Sequence, residues 1–509
     1  MRVLPLTRLL PWLAAAAVVC FALQVFSDNK ADVDLWGNIG FVRALPGSDA
    51  FHTTNTYSYT TPDAPWVNHE WLAEYILHWT WRGLGNGGLL LLKVLLGLAV
   101  LVLMYPTLRS ECRSGALRFL LLLLMISTMS YGFSTRPHHF TYLLLAVFLA
   151  LLKRFGGRVW LHLLLVPALA VLWANLHGAF FIGAIVLLVH AVTDTIKPRR
   201  AGPPSRRRPW VLLGGVVLFV GASFINPFGL RLWAFIAESG ASARPYLSEW
   251  EPFSPLRHGM THLDFVVLAL LACCALPFSK TEKDITWTAL LYLSLVAAIV
   301  LRRNIPLFAI VAGFTVGRHV ESMAGAVIDR VVQRLPAWVW VVLLLLFMPL
   351  SLYNAATFNK SDPCTIEVSA ADYPLRTVAF MKAHGLKGNV FVFFDWAEYC
   401  IWHLYPDCRV FMDGRFLSAY GAPVIDDYLA GLYGQAGWER CLTEYPTDMA
   451  LLHYGNPLAR HLGARSDWQL AHADGPAVLF LKRSVHAATL EAIRLGKTPT
   501  VAMPRAVFP

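Results

Sequence analysis

The sequence predicts a polytopic α-helical membrane protein of about eleven spans that ends in a small extracytoplasmic α/β domain. Three observations carry this. Of 509 residues, 56% are hydrophobic and 15% charged, where a soluble domain has about 25% charged. Apolar runs of membrane length recur from Leu4 to Leu350. From Asn354 onward no such run remains, and polar residues rise. Together these exclude a soluble enzyme, a secreted disulfide scaffold and a disordered binder. The net charge of +11 does not mark a nucleic-acid protein, because the basic residues sit in short loops between apolar segments and read as topology determinants.

The apolar segments fall near residues 8–26, 87–108, 117–133, 139–152, 159–175, 177–193, 210–226, 261–278, 285–301, 304–317 and 337–353. Arg2 and Arg8 before the first give a signal-peptide look, but no small-residue cleavage site follows, so it reads as a retained helix. Trp66–Leu84 carries His69, Glu70, Glu74, His78 and Arg82, which suits an amphipathic interfacial helix better than a span. With the N-terminus inside, cytoplasmic segments hold 19 Lys and Arg, and the outside loops before the tail, the first counted over 27–70, hold 8. The positive-inside rule therefore predicts a multi-pass inner-membrane protein with its C-terminal domain outside. The Lys197–Arg208 stretch reads as a flexible cytoplasmic loop. The expected organisation is a membrane domain over 1–353, with 27–86 as its first outer loop, and an outer domain over 354–509.

In the tail, Lys387–Phe394, Cys408–Met412, Asp448–His453 and Ala477–Leu481 read as strands, and Ala397–Leu404, Val424–Tyr433 and Trp438–Glu444 as helices. That alternation predicts an α/β fold. Cys364, Cys400, Cys408 and Cys441 lie there, where oxidation is possible and three pairings are open. No repeat, P-loop or dinucleotide loop is present, and no cofactor is indicated beyond a divalent cation that the acidic pair described next leaves open.

The first outer loop is the informative one. Residues 27–70 carry Asp28, Asp32, Asp34, Asp49, Asp63 and Glu70 against Lys30 and Arg43, a net of −4. Asp32-Val-Asp34-Leu-Trp36 puts two carboxylates at the membrane surface, where one can take a proton from a hydroxyl, or both can hold a metal beside a phosphate. A plain helix cap explains the pair equally well. In Trp66-Val-Asn68-His69-Glu70-Trp71, Glu70 and Glu74 share a helical face. Trp36 and Trp66 fit a sugar platform, and also an interfacial belt. Three further turns add polar groups: Arg136-Pro-His138-His139, Asn175-Leu-His177-Gly178 and Arg302-Arg303-Asn304. Two consecutive arginines on the positive-poor face fit a phosphate clamp, with snorkelling to headgroups as the alternative. Carboxylates, arginines, histidines and aromatics above a helical body suit a prenyl-lipid-linked sugar.

These motifs resemble a known family. Asp32-x-Asp34-Leu-Trp36 to Gly40, Tyr57-Ser-Tyr-Thr60, Trp66-x-x-His69-Glu70-Trp71-Leu72, Arg136-Pro137, Asn175-Leu-His177-Gly178 and Asn226-Pro-Phe-Gly229 are similar to a bacterial family of membrane glycosyltransferases of the GT-C superfamily. Protein mannosyltransferases and lipid A aminoarabinose transferases are its distant relatives. Its outer tail carries motifs like Asp395-Trp-x-x-Tyr399 and Phe411-Met-Asp413-Gly-Arg415. The resemblance implies a GT-C-like fold, a polyprenyl-phosphate or pyrophosphate sugar donor, and a lipid, glycan or protein acceptor. It implies transfer on the outer face with Asp34 as base and Asp32 as runner-up, then Glu70. Substrate contacts would come from His69, Arg136, His138, His139, Asn175, His177, Arg302, Arg303, Asn304, Trp36 and Trp66. Three positions depart from the family: Asn38 stands where His is frequent, Asn55 where Asp is, and Gly37 where a bulky aromatic is common. The two asparagines imply a shifted acceptor or weakened activity, and Gly37 implies extra space beside Trp36. A lipid-linked oligosaccharide ligase or polymerase shares most of these features. A lipid-glycan transporter would carry internal repeats and midmembrane charge, and a non-catalytic scaffold would use the outer domain to bind a partner.

Overall fold

The computed structural model describes residues 6–45, 53–155, 159–196, 208–241, 247–357, 362–497, 499, 501 and 505–509. Asp49 and most of the Lys197–Arg208 loop lie outside the described residues. The chain divides into two compact units. The first comprises Met1–Asn29, Leu89–Leu230 and Ser242–Pro363; the second comprises Lys30–Gly88, Arg231–Ala241 and Cys364–Pro509. The first outer loop, expected to belong with the membrane domain, thus folds with the C-terminal region.

The first unit is helical. Among the described residues, five helices are long and apolar enough to cross a membrane: Leu6–Phe26, Trp71–Glu111, Gly115–Gly132, Gly178–Ile196 and Ala337–Thr357. Four more are apolar but shorter: Leu164–Leu176, Pro209–Ser223, Leu263–Phe278 and Ile285–Val300. Length and composition alone therefore give a polytopic helical protein but not the expected eleven spans. The segment near 304–317 shows why. Its helix, Ile305–Gly313, has 9 residues, nearly all buried. Nine residues rise only about 14 Å, half a hydrocarbon core. An all-apolar helix of that length has the pattern of a span but is too short to cross by itself.

Leu6–Phe26 packs along Ala337–Thr357 and against Gly115–Met129. Ala337–Thr357 leaves Leu343, Leu345, Leu346 and Leu350 exposed, a contiguous apolar face that water would disfavour and lipid tails accept. Trp71–Glu111 is two helices joined at Gly85, whose φ of 63° and ψ of −157° break the helical path. The amphipathic part lies before that kink and the apolar part after it.

The second unit is built on a five-stranded sheet of order β2-β1-β3-β5-β4. The strands are β1 (Gly388–Val392), β2 (Cys408–Val410), β3 (Met449–His453), β4 (Trp468–Asp474) and β5 (Ala477–Lys482). β1 runs parallel to β2 and β3, whereas β5 is antiparallel to β3 and β4. β3 and β5 are buried almost throughout, as interior strands covered on both faces must be. β4 and β5 turn at Asp474-Gly475, where Gly475 takes φ 55°, as a tight hairpin requires. The outer edge of β2 is covered by the first loop. Val410 N–H donates to Tyr57 O at 3.0 Å, and Tyr59 N–H donates to Val410 O at 3.2 Å. An open strand edge is a template for unwanted pairing, and residues 57–60 close this one. All eight cysteines are free thiols, so none of the three possible outer pairings is formed.

Candidate functional site

The second unit brings Asp34, Glu398 and Asp413 near one short helix, Leu35–Arg43, whose residues Leu35 to Phe41 are all buried. Asp34 stands at its N-cap but makes no side-chain capping bond. Asp32 does the local work instead: its Oδ1 accepts the Asp34 N–H at 3.0 Å, an Asx-type turn. The two carboxylates are therefore unequal. Asp32 holds the turn, and Asp34, half-buried, is left to face other partners.

Those partners come from the C-terminal region. Helix Ala397–Leu404 packs on Leu35–Arg43, with Glu398 lying against Gly37 and Trp402 against Gly40. Gly37 N–H donates to Glu398 Oε2 at 2.9 Å. A Cβ on Gly37 would fall 2.3 Å from that oxygen, so the space beside Trp36 that glycine opens is filled by a carboxyl group. Gly414 closes the other side: a Cβ there would lie 2.7 Å from Glu398 Oε1 and 3.4 Å from Asp34 Oδ1. Burial, then Asp34 and Asp413, push the Glu398 carboxyl well above the usual carboxylate range. Burial thus favours the protonated form of Glu398, set beside Asp34.

Behind this pair lies a buried ionic network. Arg415 meets Asp413 through Nε to Oδ1 at 2.8 Å and Nη2 to Oδ2 at 2.6 Å. Tyr420 hydroxyl donates to Asp413 Oδ2 at 2.7 Å, and Arg415 Nη2 donates to Asn55 Oδ1 at 2.7 Å. The guanidinium lies 4.5 Å from the Trp66 ring centre, 5.0 Å from Phe41 and 5.2 Å from Tyr57. Burial opposes its charge, but Asp413 beside it holds the pKa above the ordinary arginine value. Asn55 is thus a neutral acceptor for Arg415.

Of the remaining candidates in this unit, His69 Nε2 lies 3.5 Å from Glu70 Oε1, and its ring packs 4.8 Å from Phe235. Glu74 is buried and accepts from Asn68 Nδ2 at 2.7 Å. Trp36 and Trp66 are interior, 1% and 3% exposed. Trp36 sits among Tyr399, Trp402 and Phe508 with ring centres 4.6 to 5.8 Å away. Both tryptophans are core residues of the site, with no open face on which a sugar could stack. Asp32 and Asp34 gather no metal-like set: among the described residues no three His, Cys, Asp or Glu side chains converge.

The first unit holds the arginine and histidine candidates. Arg136 Nη1 lies 3.3 Å from Glu249 Oε2, and Arg303 Nη1 lies 3.7 Å from Glu249 Oε1. Arg302 pairs with Glu251 at 3.5 Å and donates to Ser248 O. Arg303 also stacks 4.7 Å over Trp250. The arginines that broke the charge rule therefore hold the Ser248–Glu251 turn. His138 Nε2 donates to Gly132 O at 2.5 Å, and His139 Nδ1 to Arg136 O at 2.9 Å. His177 Nδ1 accepts from Thr141 Oγ1 at 2.9 Å and from Ala179 N–H at 3.2 Å. Asn175 Nδ2 donates to Val171 O and Ile225 O, and Asn304 Nδ2 to Ala297 O. These side chains fix turns at helix ends. A cavity of about 220 Å³ lies beside Tyr131, lined by Thr128, Ser130, Thr261, His262 and Asp264, residues the sequence did not single out.

No family model matches the chain, and no curated protein matches it either.

Proposed function

We propose that the chain is a GT-C-type membrane glycosyltransferase. It would move a sugar from a polyprenyl-phosphate or pyrophosphate donor to a hydroxyl or amine acceptor on the extracytoplasmic face, with Asp34 as base. The observation that supports this most is that half-buried Asp34 and the buried carboxyl of Glu398, which burial pushes above the usual carboxylate range, both lie beside Gly414. Two carboxyl groups whose surroundings drive their proton affinities apart are a common acid–base arrangement. In the proposed step the acceptor oxygen or nitrogen attacks the anomeric carbon. Asp34 takes the acceptor's proton, and the sugar–phosphate C–O bond breaks with its electron pair leaving on phosphate. One displacement inverts the anomeric centre. Phosphate recognition is proposed for Arg136, Arg302 and Arg303, whose guanidinium forks match phosphate oxygens.

The test is sugar transfer by purified protein in nanodiscs. Asp34→Asn should lower turnover about 10²–10⁴-fold, the usual scale for a lost general base, while donor binding stays near normal. Asp32→Asn should cost less, since Asp32 holds a turn. Wild-type turnover in Asp34→Asn would remove the residue from the mechanism. A wild-type protein that moves the lipid-linked sugar across the bilayer without transferring it would favour the transporter reading.

The same reading includes eleven crossings with the N-terminus inside. Parity supports the number. Residues 30–88, 231–241 and 364–509 form one compact unit, with His69 against Phe235, so they share one side of the membrane. Each intervening stretch must then cross an even number of times. The apolar helices number five in the first stretch and three in the second. His138–Phe155 supplies a sixth. The segment 304–317, whose helix Ile305–Gly313 is short, is counted as a fourth. With Leu6–Phe26 the total is eleven.

A further inference from the structure

We propose that Glu398 is a positioning residue for Asp34, acting through the backbone N–H of Gly37; this rests on the reading of Asp34 as the base. The Glu398 carboxyl is clamped between two glycines from distant segments. Oε2 takes the Gly37 N–H at 2.9 Å, and Oε1 lies where a side chain on Gly414 would have to go. Gly37 belongs to the first turn of the helix that Asp34 caps, a turn whose N–H groups have no intrahelical acceptor. The bond to Glu398 therefore ties the first turn, and with it Asp34, to the C-terminal region. The Asp34 side chain makes no cap hydrogen bond to this turn. The ionisable groups facing Glu398 are Asp34, Asp413 and Arg415. None of them replaces the contact to Gly37.

The geometry sets out which substitutions keep the function. Glutamine has the same reach and still presents an oxygen to the Gly37 N–H. Aspartate is one methylene short. Alanine leaves the N–H buried without an acceptor and the turn free to move, and a displacement of about 1 Å at a reacting group can cost about 10²-fold in rate.

The experiment measures kcat and donor KM in nanodiscs for the wild type and for Asp34→Asn, Glu398→Gln, Glu398→Asp, Glu398→Ala and Gly414→Ala. Thermal unfolding of each variant confirms a folded chain. Expected is a loss in kcat of about 10²-fold for Glu398→Ala and Glu398→Asp, with KM within about threefold. Glu398→Gln should recover at least tenfold over Glu398→Ala. Gly414→Ala keeps every acidic group but pushes on Glu398 Oε1, and should lower kcat in the same direction. If Asp34→Asn is slow while Glu398→Ala keeps the wild-type kcat, the positioning role falls and the base assignment stands. If glutamine is no better than alanine, the hydrogen bond is not the means and the proposal is wrong. Full turnover in Asp34→Asn overturns the functional reading and this proposal together.

Discussion

Arg415 and Asp413, two residues apart in sequence, form an ion pair closed to water, 2.6 Å between Nη2 and Oδ2 with side-chain exposures of 5% and 0%. Removing one member strands the other charge in a dry interior, which typically costs about 3–5 kcal/mol. Asp413→Asn and Arg415→Ala should therefore each lower stability on that scale, measured by denaturant unfolding of the C-terminal region. The double variant Asp413→Asn/Arg415→Met should be milder than the sum, because no unpaired charge remains. Near-neutral single variants would mean the pair is hydrated.

Stability should fall as pH rises, in part through Glu398. Its folded carboxyl, raised by burial and then by Asp34 and Asp413, keeps its proton where the unfolded side chain, with a pKa of about 4.3, has lost it. From that ordinary value up to the raised folded one, the unfolded state binds fewer protons. Stability then declines with pH and levels off once both states are ionised. Glu398→Gln should flatten this decline, so its Tm advantage over the wild type should grow from acid to alkaline pH. Parallel Tm curves would show that Glu398 ionises normally.

Arg303 is the arginine best placed to exchange partners. It is 31% exposed, and its contact to Glu249 is long at 3.7 Å. Such a pair contributes about 0–1 kcal/mol to stability, so Arg303→Ala should fold normally. Binding of a polyprenyl phosphate should weaken in Arg303→Ala and recover only partly in Arg303→Lys, which lacks the planar fork. Unchanged affinity would leave Arg303 as an anchor for the Ser248–Glu251 turn.

The proposed orientation predicts opposite labelling of two exposed positions, Arg113 and Lys497. In a cysteine-free background, Arg113→Cys should react with a membrane-impermeant maleimide only after permeabilisation, and Lys497→Cys in intact spheroplasts. Labelling of both from one side would refute the topology.

The sequence made some of this visible and hid the rest for physical reasons. Helix Ala397–Leu404 was legible from its own residues, because apolar spacing within one turn is a local signal. Glu398, inside that helix, was not, since its partner Gly37 lies 361 residues away and nothing in the spacing of either segment points to the other. Trp36 and Trp66 were candidates for a sugar platform, and residue type does not distinguish an exposed ring from one 1% or 3% exposed. Strand β4 was missed because its register shifts between Leu470 and His472, which spoils strict alternation. The arginine pair at 302 and 303 did stand out as a break in the charge rule. Its explanation needed Glu249 and Glu251, carboxylates about fifty positions upstream.

The loop over the edge of β2 also sets a schedule. Ser58 Oγ donates to Phe411 O at 2.9 Å across 353 residues, so the segment that closes the sheet is made long before the sheet itself. At about 5–20 residues per second, the ribosome works for about 20 to 70 s between them. During that interval the acidic loop has emerged without the strand it covers, and Asp34 without Glu398. A chain halted between Thr357 and Arg415 would carry the apolar helices but no assembled Asp34–Glu398 cluster, so any chemistry at that cluster would begin only in the last part of translation.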